Sequence, residues 1–135
     1  MSLIGYALRM AKMYYEPDTY DHALRVAAYV ADNEIIPDNK MDICISLAIM
    51  HDWIEDTRYE EFESIPEELE NGLSIITKDH DTNYNDYIKY IVKNKNEYPE
   101  AYWVKMADMK DHLAQTETLT DKLKEKYLTA LPYLL

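Results

Sequence analysis

The chain has 135 residues, 47% of them hydrophobic, enough to build a hydrophobic core within one domain. Its formal net charge of -12 at pH 7 excludes general nucleic-acid binding, because no broad face would neutralise phosphates. A small phosphorylated ligand is compatible with that charge if a metal ion and a few local Lys or Arg side chains meet it.

Only two glycines and five prolines occur, which disfavours a sheet-rich fold with many tight turns. Cys44 is the single cysteine and lies in an apolar stretch, so a buried, inert thiol in a reducing compartment is expected. Arg9 and Lys12 interrupt the N-terminal segment, which does not read as a signal peptide. No apolar run approaches the roughly 20 residues that span a bilayer. A cytoplasmic protein without membrane contact is expected.

In chain order, Ile4, Ala7, Leu8, Ala11 and Tyr15 recur at helical spacing and predict a helix over 3–15. Glu16-Pro17-Asp18 should break it, with Asp18 or Thr19 capping a second helix over 20–32 and His22 in its first turn. Residues 33–39 read as a connection. The helix predicted over 41–51 is apolar nearly all round, which places it at the centre of a bundle. Residues 58–64 carry at most a short helical turn. Pro66 suits the first turn of a helix to 77. Asn83 or Asn85 caps a helix to 93, Pro99 opens one to 115, and Thr118 or Thr120 caps a last one to 131, where Pro132 stands. No stretch alternates with a period of two. The expectation is a single all-α domain over 1–135, a bundle of about seven helices with no sheet.

The chemistry concentrates in Ile49-Met50-His51-Asp52-Trp53-Ile54-Glu55-Asp56-Thr57, four ionisable groups in six residues. Adjacent residues of a helix point about 100° apart, so His51 and Asp52 reach one ion only at a helix end or where the backbone departs from helix. Further ligands must come from elsewhere. His22 is the obvious histidine, and Asp108 is the obvious carboxylate, a charge among apolar neighbours in Val104-Lys105-Met106-Ala107-Asp108-Met109. Two imidazoles and two carboxylates suit Mn²⁺, Fe²⁺, Zn²⁺ or Co²⁺ better than a closed structural zinc site. Glu55 stands four residues after His51, and Asp56 four after Asp52, each near its partner's face.

Taken in order on an all-helical chain, His22, His51-Asp52 and Asp108 resemble the HD superfamily of metal-dependent phosphohydrolases. The strings His22-Ala23-Leu24-Arg25-Val26-Ala27, Ala48 through Thr57, Ile76-Thr77-Lys78 and Val104 through Asp108 resemble the hydrolase domain of the RelA/SpoT alarmone enzymes. The resemblance runs from about Ala7 to the C-terminal helix. It implies an HD-domain bundle, and a metal, typically Mn²⁺, held by His22, His51, Asp52 and Asp108. It also implies Glu55 and Asp56 as the pair that positions or deprotonates the attacking water. The implied reaction is hydrolysis of a phosphate ester, with pyrophosphate leaving the 3′ position if the substrate is an alarmone nucleotide. A bifunctional alarmone enzyme is not expected.

The departures from that family lie around the substrate. Tyr14-Tyr15-Glu16-Pro17-Asp18-Thr19 replaces a loop rich in Arg and Lys, Ala23 replaces a proline, and His112 stands where the family has asparagine. Arg25, Lys78, Lys105 and His112 are the candidate substrate contacts, with Lys12 and Lys110 as further sources of positive charge. His112 either faces the pocket one turn after Asp108 or caps its helix. Lys105 either reaches a phosphate or is an ordinary surface lysine, and Asp108 has Lys105 and Lys110 as alternative partners. His80 reads as solvated. The thirteen tyrosines read mostly as core or core-edge residues, with Tyr6, Tyr14, Tyr15, Tyr84 and Tyr87 as possible base platforms. A rival reading is a nucleotide-sensing module of the same fold without turnover.

Overall fold

The structure, a computed structural model, describes residues 2–56 and 65–135. The short turn expected over 58–64 lies outside the described residues. Seven helices and one additional four-residue helix account for the secondary structure, and no strand occurs among the described residues. They are α1 (Leu3–Tyr14), α2 (Pro17–Ala31), α3 (Asp38–Met50), the short α4 (Trp53–Asp56), α5 (Glu67–Ile76), α6 (Tyr84–Lys93), α7 (Pro99–Ala114) and α8 (Asp121–Leu134). The expected all-α bundle of about seven helices is therefore the fold. No helix among the described residues is long and apolar enough to cross a membrane.

Local chemistry sets the boundaries. The Ser2 hydroxyl accepts from the Gly5 amide at 3.0 Å and caps α1. Asn83 and Thr120 cap α6 and α8 by accepting from the Asp86 and Leu123 amides. The start of α2 differs from expectation: Pro17 is its first residue rather than a breaker, and neither Asp18 nor Thr19 is the cap. A proline costs nothing at that position, since the first amides of a helix have no intrahelical partner and its φ is preset. His22 consequently falls in the second turn. Pro66 occupies the N-cap of α5, one position before the first turn, and α3 begins three residues earlier than expected. At the other end α8 carries Pro132 inside its last turn and continues to Leu134, whose carbonyl accepts from the Tyr102 hydroxyl at 2.5 Å.

The apolar α3 sits at the centre, against α1, α2, α5 and α7. Ala7 and Ala11 are fully buried on α1, small enough to let its backbone approach α3. The Cys44 thiol is buried and pushed up to about 12 by burial, consistent with an inert group. One core cluster joins residues of α1, α2, α3, α4, α5 and α7, Val26, Leu47, Trp53, Leu73 and Val104 among them. A second joins Ile75 of α5 to Tyr87, Ile88, Ile91, Met109, Tyr127 and Leu134 of α6, α7 and α8. Because α7 contributes to both, any side chain between them has helices on several sides. Leu47 is fully buried at the α3–α5 contact, where a Cβ added at Gly72 would lie 2.9 Å from its Cδ2. Leu47→Ala should lower unfolding stability by about 2–5 kcal/mol through lost burial and a residual cavity. Urea denaturation measures this.

Candidate metal centre

Two helices face each other with matched pairs of residues three apart. On α2 these are His22 and Arg25; on α7 they are Asp108 and Asp111. Spacing of three keeps each pair on one helix face. His22 Nε2 lies 2.9 Å from Asp108 Oδ1, and its Nδ1 lies 2.6 Å from Asp111 Oδ2. Arg25 Nε donates to both oxygens of Asp111, at 2.9 and 3.1 Å. Asp111 is fully buried.

His51 ends α3, where the chain leaves the helix before Trp53 opens α4. That departure lets His51 and Asp52 point to one place. His51 Nδ1 is 2.6 Å from the Ala48 carbonyl oxygen, and its Nε2 is 3.0 Å from Asp108 Oδ1. Asp52 Oδ2 stands 3.2 Å from His51 Nε2 and 3.8 Å from His22 Nε2. Ligand atoms of His22, His51 and Asp108 all lie within 4.8 Å of one another, with Asp52 beside them. The four residues expected as ligands are thus brought together.

A carbonyl oxygen only accepts, so His51 Nδ1 carries the hydrogen. Asp111, held ionised by Arg25, calls for the same tautomer in His22. In each neutral ring the lone pair is then on Nε2, and both lone pairs face the oxygens of Asp108 and Asp52. Lone pairs and carboxylate oxygens at these distances repel unless protons or a cation lie between them. The donor set therefore fits a divalent ion. Donation of the outer ring nitrogen to a carboxylate or backbone carbonyl is also how metal-binding histidines are generally oriented.

The electrostatics follow. Burial disfavours charge on His51, yet Asp52 and Asp108 outweigh it and raise its pKa well above 6.5. Burial and the Asp108 hydrogen bond oppose each other at His22, with the balance raised. Burial would raise Asp108, but Lys105 and His51 hold it well below the usual carboxylate range. Asp52 is lowered against its burial by His51. Asp111 is lowered against its burial by Arg25 and His22.

The remaining candidates divide. Lys105 is buried rather than a surface lysine; its Nζ is 2.7 Å from Asp108 Oδ2, leaving Oδ1 to the imidazoles. His112 faces the site, with Nε2 3.1 Å from Asp108 Oδ1. A cavity of about 130 Å³ is lined by His51, Asp52, Glu55, Lys78, Lys105, Asp108 and His112, with Tyr84, Lys126 and Tyr127 closing one side. Arg25 does not line it; with Tyr29, Asp32, Asp111 and Gln115 it borders a separate surface cavity. Glu55 is exposed on the rim, and its Oε1 accepts from the Lys78 amide at 2.6 Å. The Asp56 side chain lies outside the described residues. His80 is exposed, as expected.

Asp111, Lys126 and Tyr127 escaped the sequence reading. For Asp111 a signal existed: Arg25 follows His22 by three residues as Asp111 follows Asp108. Lys126 and Tyr127 carry no such mark.

Two outcomes are expected. Asp111→Asn should weaken divalent-ion affinity by about 10- to 100-fold by loosening the His22 ring, as loss of a ligand's outer partner generally does; calorimetric titration measures it. The second concerns pH. A raised imidazole pKa adds stability that is fully present below 6.5 and is lost as pH rises through the folded values. The metal-free protein should therefore lose melting temperature as pH rises above about 6.5, while the increment given by Mn²⁺ or Zn²⁺ should grow as the rings deprotonate.

No protein-family model matches the chain, and no curated protein matches it at a significant level.

Proposed function

We propose that the chain is a metal-dependent phosphohydrolase of the HD type, acting on a small phosphorylated substrate, a nucleotide or related phosphate ester. The observation that carries this reading is the pair of imidazoles with pinned outer nitrogens, whose inner nitrogens converge with Asp108 and Asp52 beneath a lysine-lined cavity. Held by His22, His51, Asp52 and Asp108, a divalent ion would supply Lewis acidity and a lowered pKa for water. Mn²⁺ is the ion implied by the sequence resemblance; Fe²⁺, Co²⁺ and Zn²⁺ match the same donors.

The chain's own groups account for the rest. Lys78 and Lys126 border the cavity and would draw in a phosphoryl group despite the net charge of -12. Burial lowers the Lys126 pKa, and Lys105 and Lys78 lower it further; an anion among these ammonium groups relieves that repulsion. Glu55 is the nearest described carboxylate that the imidazoles leave alone. With Oε1 held by the Lys78 amide, its Oε2 is available to take a proton from water. At about 130 Å³ the cavity admits a phosphoryl group and water but not a nucleoside, since drug-sized ligands occupy about 300–1,000 Å³. The nucleoside would lie outside, over Tyr84 and Lys126, which also border a shallow groove with Asn83, Lys122 and Thr129.

Purified protein should release phosphate or pyrophosphate from some member of a nucleotide panel, including 3′-pyrophosphorylated nucleotides, when a divalent ion is added. Asp52→Ala should lose turnover and most metal affinity. Glu55→Gln should keep its metal while kcat falls about 10²- to 10⁴-fold, the range of general-base assistance. Metal binding without turnover across the panel would favour the sensing module instead.

A further inference from the structure

We propose that His112 is a further metal donor, so that the centre presents three imidazoles and its preference for Co²⁺ or Zn²⁺ over Mn²⁺ is widened. The inference rests on the metal reading above and extends its donor set.

Three imidazole nitrogens gather round one oxygen. Asp108 Oδ1 lies 2.9 Å from His22 Nε2, 3.0 Å from His51 Nε2 and 3.1 Å from His112 Nε2. A carboxylate oxygen has two in-plane lone pairs and accepts three donors only with poor geometry. Two of the three rings, moreover, have no hydrogen to offer there when neutral, because their Nδ1 atoms carry it. A cation beside that oxygen, faced by His22 and His51 and reached by a small movement of the His112 ring, would satisfy every member of the group at once.

His112 is placed for this by its register. It follows Asp108 by four residues on α7 and so emerges on the same face, one turn on. Its ring is already positioned. It stacks on Tyr127 with centroids 4.8 Å apart and an interplanar angle of 14°, and its centroid is 4.5 Å from that of His22. Tyr127 is itself buried in the second core cluster, so the platform is part of the packed structure. A ring stacked in this way loses little freedom on binding an ion. The tight group remains His22, His51 and Asp108, and His112 joins it from the rim of the cavity through the shared oxygen.

The consequence is chemical. A site of two imidazoles and two carboxylates already binds Co²⁺ and Zn²⁺ more tightly than Mn²⁺. A third imidazole widens that margin, because nitrogen donors favour the later ions, Co²⁺ and Zn²⁺ in particular.

The test compares the full chain with His112→Asn and His112→Ala. Affinities for Co²⁺, Zn²⁺ and Mn²⁺ are measured by competition with a chromophoric chelator, and ring ¹⁵N spectra are recorded with Zn²⁺. The unaltered chain should show metal-shifted Nε2 signals from three histidines, and the variants from two. Co²⁺ and Zn²⁺ affinity should fall about 10- to 100-fold in the variants, the scale at which metal-site contacts are felt, with a smaller change for Mn²⁺. An unshifted His112 Nε2 in a metal-loaded unaltered chain, or variant affinities equal to its own, overturns the role of His112 and leaves the four-ligand centre standing. An unaltered chain that binds no divalent ion overturns both.

Discussion

Everything in the site depends on how two imidazole rings are held from behind. Asp111 grips His22 Nδ1 and the Ala48 carbonyl grips His51 Nδ1, each at 2.6 Å. These contacts decide which nitrogen of each ring is left for chemistry, and that choice gives a group of histidines and aspartates a donor set that fits a cation. Were the rings free to flip, the same residues would satisfy one another as ordinary hydrogen-bonded pairs. Arg25 keeps Asp111 ionised and fixed, and so acts on the centre without bordering its cavity.

The charge pattern has a consistent direction around this centre. Lys105 neutralises the far oxygen of Asp108 and is itself buried among tyrosine rings, 5.0 Å from the Tyr87 centroid and 5.3 Å from that of Tyr84. A buried ammonium without such a partner would cost several kcal/mol. Lys126, 4.4 Å from the Tyr84 centroid, and Lys78 then border the open side. A chain with a net charge of -12 thus gathers three lysines at one small cavity. Under the proposed function this cationic lining would attract an anion despite the acidity of the whole chain.

Much of this was legible from the residues. The helical periodicities were strong because buried positions on α1, α2 and α7 recur at three and four, and Asp108 stood out as a charge among apolar neighbours. Boundaries were less legible. Pro17 read as a breaker because a proline signals both the end of one helix and the start of the next, and only the tertiary packing of α2 decides between them. Lys105 shows a different limit: its sequence neighbours do not reveal that Asp108 and two tyrosines from α6 enclose it. Tyr127 and Lys126 approach from α8, and a lone residue on a distant helix carries no local trace of what it packs against.

The end of α3 shows how one backbone event serves two purposes. The last carbonyls of a helix lack backbone donors and carry the negative end of its dipole. Ala48 supplies such a carbonyl, and His51 Nδ1 takes it, so termination itself provides the acceptor that sets the tautomer. The same termination turns Asp52 toward the His51 Nε2 it could not face within a regular helix. Fully buried Trp53 follows directly, and the Tyr15 hydroxyl donates to the Ile49 carbonyl at 2.9 Å, so the break is anchored on both sides. A helix continued through His51 and Asp52 would separate the two side chains and withdraw the carbonyl together. The polarity of the helix end adds to the effect, since a cation held there would sit at the negative pole of α3.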